Sequence, residues 1–191
     1  MTPTEWKEKP LPTIVSHAAV AVAAGVAFAP RDMPNHFWAL AVLCSILPDA
    51  DVVGFFLGIP YRHVFGHRGF FHSLLFGLLL GAFVAGISFH NTGIFSGRWF
   101  FFLIFFSLLT ASHGLLDAFT NGGLGIALLS PFDHARHFFP WTPIEVSPIG
   151  IEAFFSKWGL AVVKSELMWV WLPSFAVVVL STVIRGLYLR H

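Results

Sequence analysis

Histidine and aspartate residues interrupt the apolar stretches of this 191-residue sequence in a pattern that suits a metal site. In SHGLLDAF, His113 and Asp117 lie four residues apart, which places both side chains on one face of a helix, about 6 Å apart. Imidazole and carboxylate ligands together suit Zn²⁺ first, with Mn²⁺ or Fe²⁺ as alternatives. The sequence therefore predicts one or two divalent ions with these candidate ligands: His17, Asp49, Asp51, His72, His113 and Asp117.

Two parts of this ligand set need a bend in the chain before they can converge. Asp49 and Asp51, in LPDAD, are two residues apart and would point to nearly opposite faces of a regular α-helix. Pro48 removes a backbone donor and disrupts the preceding turn, so both carboxylates are expected to face inward. Gly69, in GHRGFFHS, gives the loop the freedom to bring His67 over the start of the following helix.

Metal-assisted hydrolysis is the chemistry that this set of residues predicts. A divalent ion lowers the pKa of a bound water toward 7 and polarises a carbonyl or phosphoryl oxygen. The Arg68 guanidinium is shaped to hold a phosphate or carboxylate in two parallel hydrogen bonds. The candidate catalytic residues are His67, Arg68 and Asp51, and the general base stays open among Asp49, Asp51, Glu145 and His67.

Composition places these residues in a membrane protein. With 56% hydrophobic residues, 11% charged residues and a mean hydropathy of +0.75, the chain is too apolar for a soluble domain. Because one helical crossing takes about 20 apolar residues, we expect an all-α polytopic membrane helix bundle with about five transmembrane helices, forming a single domain over residues 1–191. The predicted spans are about 13–29, 36–58, 72–90, 98–118 and 166–187, with an interfacial or re-entrant loop at 119–165.

Other classes of protein fit the sequence poorly. Cys44 is the lone cysteine, which excludes an internal disulfide. The sequence has no basic tract and no Gly-rich phosphate loop, so we expect no nucleic-acid partner. Lys and Glu residues among the first twelve positions argue against a cleavable signal peptide.

Successive helices run in opposite directions, and this brings the ionisable residues to one face of the membrane. An Asp at the bilayer centre costs about 2.5–3.5 kcal/mol even on the lenient insertion scale, so these carboxylates need imidazolium partners or bound metal. The same face carries seven of the Lys and Arg residues against four on the other face, which predicts that it is cytoplasmic. Four spans contribute the residues at this face: His17, then Asp49 and Asp51, then His72, then His113 and Asp117.

Each candidate also has an ordinary structural interpretation when taken alone. His17 can form a hydrogen bond between helices, Asp49 can cap a helix and Asp117 can terminate one. Their clustering favours a metal or proton-handling site over coincidence. His63 is near enough to His67 in sequence to be a reserve ligand. The loop SPFDHARHFF adds polar residues that can contact a substrate: Asp133, His134, Arg136 and His137.

Four sequence elements resemble the YdjM family of bacterial inner-membrane proteins. They are SHAAVA at His17, LPDAD, HRGFFHS, and SHGLLDAFTNGG followed by LLSP, and they cover residues 17 to about 131. Phe71 stands where the family usually has Thr, and Val52 where it often has His, but neither position is a proposed ligand. The resemblance implies an inner-membrane location, metal-dependent hydrolase activity and binding of the regulator LexA.

The resulting functional hypothesis is a membrane-embedded metal-dependent hydrolase. Its site opens at the level of the lipid headgroups, so the expected partner is a membrane lipid or other amphiphilic substrate, cleaved at a phosphodiester or ester by a metal-activated water. Two alternatives stay open. One is a proton- or ion-coupled transporter, since intramembrane Asp and His also mark ion pathways. The other is a non-enzymatic membrane anchor that binds a regulatory protein.

Overall fold

The computed structural model describes residues 14–147 and 155–188, which are mainly helical. Ordinary α-helix is interrupted by 3₁₀ turns at Leu47–Val52, Phe70–His72 and His90–Thr92, and by a π-helical turn at Leu167–Trp171. The described residues contain two isolated β-bridges, Thr120 with Ile144 and Ile126 with His137, but no strand. The α-helices are α1 Ile14–Phe28, α2 Asn35–Ile46, α3 Val53–Phe56, α4 Leu74–Ser88, α5 Gly97–Ala118, α6 Lys157–Glu166 and α7 Leu172–Tyr188.

Three helical segments are long and apolar enough to cross a membrane: Asn35–Phe56, Gly97–Ala118 and Lys157–Leu187. The other two apolar helices, α1 and α4, have 15 residues each in the described part of the chain. At 1.5 Å per residue they are about 22 Å long, shorter than the hydrocarbon core of about 30 Å. The all-helical membrane bundle expected from the sequence is confirmed, and within the described residues α1 and α4 are shorter than a full crossing.

A pair of glycines sets the closest helix contact in the bundle. Gly77 and Gly81, in GLLLG, lie against α5 so closely that a Cβ atom would stand 3.0 Å from the Ser107 carbonyl oxygen and 2.5 Å from the Ser107 nitrogen, respectively. Small residues four apart allow this approach of two helix backbones. The same packing brings the carbonyl group of His72, just before α4, against Gly114 of α5.

The half of the bundle away from His72 is filled by aromatic side chains. Phe37 of α2 is fully buried among rings from α5 and from the end of α4, and Phe89 stacks on Phe102 with ring centroids 3.8 Å apart. Offset and edge-to-face ring pairs add to the free energy gained by burying this apolar surface. The helix positions are therefore fixed by an apolar half, while the ionisable residues occupy the other half.

The last helix begins at Lys157, not near residue 166 as the hydropathy pattern predicts. The charges of Lys157, Lys164 and Glu166 excluded this segment from an apolar span, although it is helical and Ser156 Oγ accepts a hydrogen bond from Trp158 N at its start. Glu166 is fully buried. The predicted loop 119–165 is thus too long at its carboxyl end, and residues 148–154 lie outside the described part of the chain.

The helix ends define two faces that can be distinguished experimentally. The loop at Ala135 lies on the face with the ionisable residues and Asn91 lies between α4 and α5 on the other face, and both are exposed. Cys44 is buried and should not react. In cells, a membrane-impermeant maleimide should label Asn91→Cys from outside and Ala135→Cys only after the inner membrane is opened. The reverse labelling pattern would place the ionisable face outside the cytoplasm.

Candidate metal centre

Four ionisable side chains from three segments meet at one end of the bundle. Asp49, His72, His113 and Asp117 are buried, and each offers one ligand atom such that all four atoms lie within 4.8 Å of one another. Asp49 Oδ1 is 3.3 Å from His113 Nε2 and 3.5 Å from His72 Nε2. Asp117 Oδ2 is 3.4 Å from His72 Nε2. Two imidazoles and two carboxylates thus face a common centre.

Neighbouring acceptor groups favour one neutral form of each of the two imidazoles. His113 Nδ1 lies 2.7 Å from the Ser45 carbonyl oxygen, which can only accept, so Nδ1 donates and Nε2 carries a lone pair in the neutral ring. His72 Nδ1 is 3.1 Å from Asp51 Oδ2, which favours the same arrangement. The two Nε2 atoms are 3.2 Å apart, and protonating both would set two N–H groups against each other.

The two carboxylates of this centre also lack an aligned hydrogen-bond donor in the described chain. Within the described residues, neither oxygen of Asp49 or Asp117 has an aligned hydrogen bond, although both groups are buried. Buried polar groups in proteins are almost always satisfied, because an unpaired buried charge costs several kcal/mol. Two imidazole lone pairs and two carboxylates without aligned hydrogen bonds meet at one centre, so these residues fit a divalent metal ion.

Charge balance supports the same conclusion. Three buried carboxylates, Asp49, Asp51 and Asp117, lie in contact with these imidazoles. In the part of the chain that the structure describes, Arg68 is the only Lys or Arg paired with any of them, through Nε at 3.1 Å from Asp117 Oδ2. With neutral imidazoles, two negative charges are left over. One divalent cation neutralises them.

Asp51 and His67 form a second layer behind His72. His67 Nδ1 is 2.6 Å from Asp51 Oδ1, and the Arg68 backbone N–H donates to Asp51 Oδ2 at 3.1 Å. Burial lowers the pKa of His67, although Asp51 acts to raise it. Since Asp51 also faces His72 Nδ1, it matches the carboxylate–histidine–metal arrangement that orients a ligating ring. Asp51, His67 and His72 are in addition close enough to form a ligand group of their own.

The 3₁₀ turn at Leu47–Val52 explains how both aspartates of LPDAD become buried. At three residues per turn, positions two apart differ by about 120°, whereas in an α-helix they differ by about 160°. Pro48 lies in the first turn of this segment, as the sequence suggested. Asp49 can therefore face the centre while Asp51 faces His67 and the back of His72.

Arg68 is fully buried and is held in a left-handed backbone conformation, with φ of 61°. Its Nη1 donates to the Gly122 carbonyl oxygen at 2.7 Å, and its Nη2 has no hydrogen-bond partner among the described residues. Gly123 has φ of 88°, and a Cβ there would lie 2.8 Å from Arg68 Nη1. The NGG turn after α5 is thus shaped to admit the guanidinium beside Asp117.

His17 lies beside the centre but in neither ligand group. Its ring stacks on His113 with centroids 3.7 Å apart, and its Nε2 is 3.5 Å from Asp117 Oδ1. Neither ring nitrogen has an aligned hydrogen bond within the described residues, and the side chain is buried. His17 therefore closes the α1 side of the centre, and its role as a ligand stays a prediction.

The remaining candidates lie outside the centre. His63 is exposed and accepts a hydrogen bond from Phe65 N, so it is not a reserve ligand in this arrangement. Glu145 accepts from Asn121 Nδ2 at 2.8 Å and belongs to neither ligand group. Three of the four polar residues of SPFDHARHFF are exposed on the surface: Asp133, His134 and His137.

Arg136, the fourth residue of that set, has a structural role that the sequence did not indicate. Its Nη2 donates to the Tyr61 carbonyl oxygen at 2.8 Å, and its Nη1 lies 3.1 to 3.3 Å from the carbonyl oxygens of His67, Arg68 and Gly125. It thereby joins the loop that carries His67 to the segment after α5. Backbone carbonyl partners leave no trace in a sequence, so this role could not be predicted.

Comparisons with known proteins place the chain among inner membrane proteins. Residues 12–189 match the family described as YdjM inner membrane protein. The chain is similar to Inner membrane protein YbcI of Escherichia coli (strain K12), at 40% identity over 167 residues that cover 86% of this chain and 93% of that protein. No solved structure gives a significant match.

Loss of a central ligand should remove the metal. Detergent-purified wild-type protein is expected to contain one or two divalent transition-metal ions per chain, and His113→Ala and Asp117→Asn should each lose them, because each change removes a ligand atom from the centre. Elemental analysis by mass spectrometry measures this directly. His63→Ala, which changes an exposed histidine, is the matched control and should keep the wild-type content. Unchanged metal in both ligand variants would reject the proposed centre.

Proposed function

The chain belongs to the YdjM family of inner membrane proteins, and we propose that it is a metal-dependent hydrolase embedded in the bacterial inner membrane. Its substrate is an amphiphile, cleaved at a phosphodiester or ester bond at the membrane surface. The observation that carries this proposal is the convergence, within the described residues, of two imidazole lone pairs and two carboxylates without aligned hydrogen bonds on one buried centre.

The residues suited to hold the metal are Asp49, His72, His113 and Asp117, with His17 and Asp51 adjoining them. Their nitrogen and oxygen donors suit Zn²⁺ first, with Mn²⁺ or Fe²⁺ as alternatives, and the two overlapping ligand groups allow one or two ions. Such an ion supplies Lewis acidity, which polarises the scissile group and lowers the pKa of water at the site.

The general base is best sought among carboxylates that do not have to bind metal. A catalytic zinc site keeps one position open, so three of the four central side chains suffice as ligands. Asp49 is 7% exposed and has no aligned hydrogen bond to either oxygen, whereas Asp51 accepts from His67 and from the Arg68 backbone. We assign proton acceptance to Asp49 and the orientation of His72 to Asp51, with His67 holding Asp51 in place.

Arg68 is the group suited to stabilise negative charge on the substrate. Its Nε faces Asp117 next to the centre, and its buried Nη2 has no hydrogen-bond partner among the described residues. Charge-assisted hydrogen bonds from a guanidinium are stronger than neutral ones, and Nη2 can donate one to a phosphate oxygen while Nε faces Asp117 and Nη1 binds the Gly122 carbonyl. This favours a phosphodiester over a carboxylic ester.

The surroundings of the centre favour an anionic amphiphile. A cleft of about 370 Å³ on the loop side is lined by Arg62, Leu124, His134 and Arg136, and Arg136 contacts the loop that carries His67. Cationic groups at the membrane surface attract anionic headgroups.

A transporter would need a polar route to the opposite face, but the half of the bundle beyond the centre is packed with buried Phe37, Phe102 and Phe106.

Hydrolysis should depend on the central ligands. In detergent–phospholipid mixed micelles, metal-loaded wild-type protein is expected to release product from a phosphodiester or ester lipid, and His72→Ala should reduce kcat/KM at least about 100-fold, because the metal contributes several kcal/mol to the transition state. Mass spectrometry of the lipid products measures this.

Two controls define the outcome of that assay. His63→Ala alters an exposed histidine of the same loop region and should keep the wild-type rate. Arg68→Lys keeps the charge but not the fork, and it should lower the rate for a phosphodiester more than for a carboxylic ester. A His72→Ala rate equal to wild type, or no cleavage of either lipid class by the metal-loaded protein, would contradict the proposal.

A further inference from the structure

An apolar groove of about 410 Å³ runs along the bundle between α1 and α5. Its one polar lining residue, Ser112, donates its hydroxyl to the Leu109 carbonyl oxygen of its own helix. The groove therefore has no described lining side chain whose polar group needs a hydrogen bond from a bound molecule. The residues that define the groove include Val20, Ala24 and Phe28 of α1 and Ile104, Leu108 and Ser112 of α5.

The groove faces the bilayer. Phe28, Ile104 and Leu108 are 71%, 55% and 66% exposed, and both helices belong to the apolar membrane bundle. The surrounding medium at this depth is the hydrocarbon of membrane lipids. An apolar channel open to that medium along its length admits a hydrocarbon chain without burying any unsatisfied polar group.

One end of the groove lies at the candidate metal centre. On α1, Val20 is one helical turn from His17, and on α5, Ser112 directly precedes His113. His17 and His113 stack on each other across the two helices, with ring centroids 3.7 Å apart. This stacked pair lies next to the end of the groove, and His113 also faces the other candidate metal ligands.

From this continuity we propose that the groove holds one acyl chain of a membrane phospholipid and so delivers the lipid headgroup to the centre. This inference rests on the proposed hydrolase function and narrows its substrate class to acyl-chain lipids. The chain lies between α1 and α5 with its headgroup end at the His17–His113 pair. The length of apolar groove beyond that pair selects a long-chain lipid over a short-chain ester.

A second groove of equal size provides an internal control. It also has a volume of about 410 Å³ and lies on another side of α1, against α7, where Ala19, Ala23 and Phe175 line it. Its lining includes Ala18, which follows His17 on α1, but no residue of α5, so it does not reach the His113 side of the pair. Ordinary contact with surrounding lipid should fill both grooves equally, whereas substrate binding should fill only the groove between α1 and α5.

The test is photolabelling of the full-length protein in detergent micelles. The probe is an equimolar amount of phosphatidylethanolamine with a diazirine midway along one acyl chain, and labelled peptides are mapped by mass spectrometry. Labelling should favour the α1–α5 groove over the α1–α7 groove about tenfold, a ratio that corresponds to about 1.4 kcal/mol. Ala24→Phe should reduce it to the level of the second groove, while Ala176→Phe, at an exposed position of α7, should not.

Equal labelling of the two grooves in the wild-type protein would overturn the inference. So would protein–protein crosslinks between α1 and α5 of two copies, formed with a bifunctional reagent, which would show that a second copy fills the groove. Because labelling requires no turnover, the two proposals fail separately. Selective labelling without hydrolysis would reject only the hydrolase, and metal-dependent hydrolysis with equal labelling would reject only the groove.

Discussion

The structure depends on the need to neutralise three carboxylates buried at one end of a membrane bundle. Asp49, Asp51 and Asp117 have Arg68 as their one permanent cationic partner among the described residues. Much of the local architecture serves this pairing: the left-handed Arg68 backbone, the NGG turn that makes room for its guanidinium, and the Arg136 bonds that hold the loop in place. Two negative charges still remain, and a divalent cation removes that imbalance.

In this bundle, the packing that fixes the helix positions and the residues suited to bind a metal lie in different halves. The aromatic half and the close GLLLG contact between α4 and α5 fix helix positions without using any of the candidate metal ligands, so the ionisable half can hold ligands that repel one another in the absence of an ion. The centre lies at one end of an apolar bundle and is closed on its far side by the aromatic half.

Much of this could be predicted from the sequence because burying a charge in a membrane is so costly. Because of that cost, the positions of His72, His113 and Asp117 in the sequence indicated a shared site. The all-helical bundle and the family were also predicted correctly. The predicted start of the last helix near residue 166 was wrong, because the charged residues between Lys157 and Glu166 lower the hydropathy of a segment that is nevertheless helical. The proposed reserve ligand His63 was wrong because nearness in sequence does not turn a side chain inward. The Ser45 carbonyl that sets the His113 tautomer could not be predicted, because backbone groups carry no sequence signal.

The most direct test of the metal centre is X-ray absorption at the metal edge of the purified, metal-loaded protein. The arrangement of Asp49, His72, His113 and Asp117 predicts a first shell of nitrogen and oxygen only, with the multiple-scattering signature of two imidazoles and, for zinc, metal–nitrogen distances of about 2.0–2.1 Å. That signature should fall to one imidazole, or vanish with the metal, in His113→Ala. A sulfur shell, a spectrum without imidazole scattering, or a protein that takes up no metal would contradict the assignment of this cluster as a metal centre.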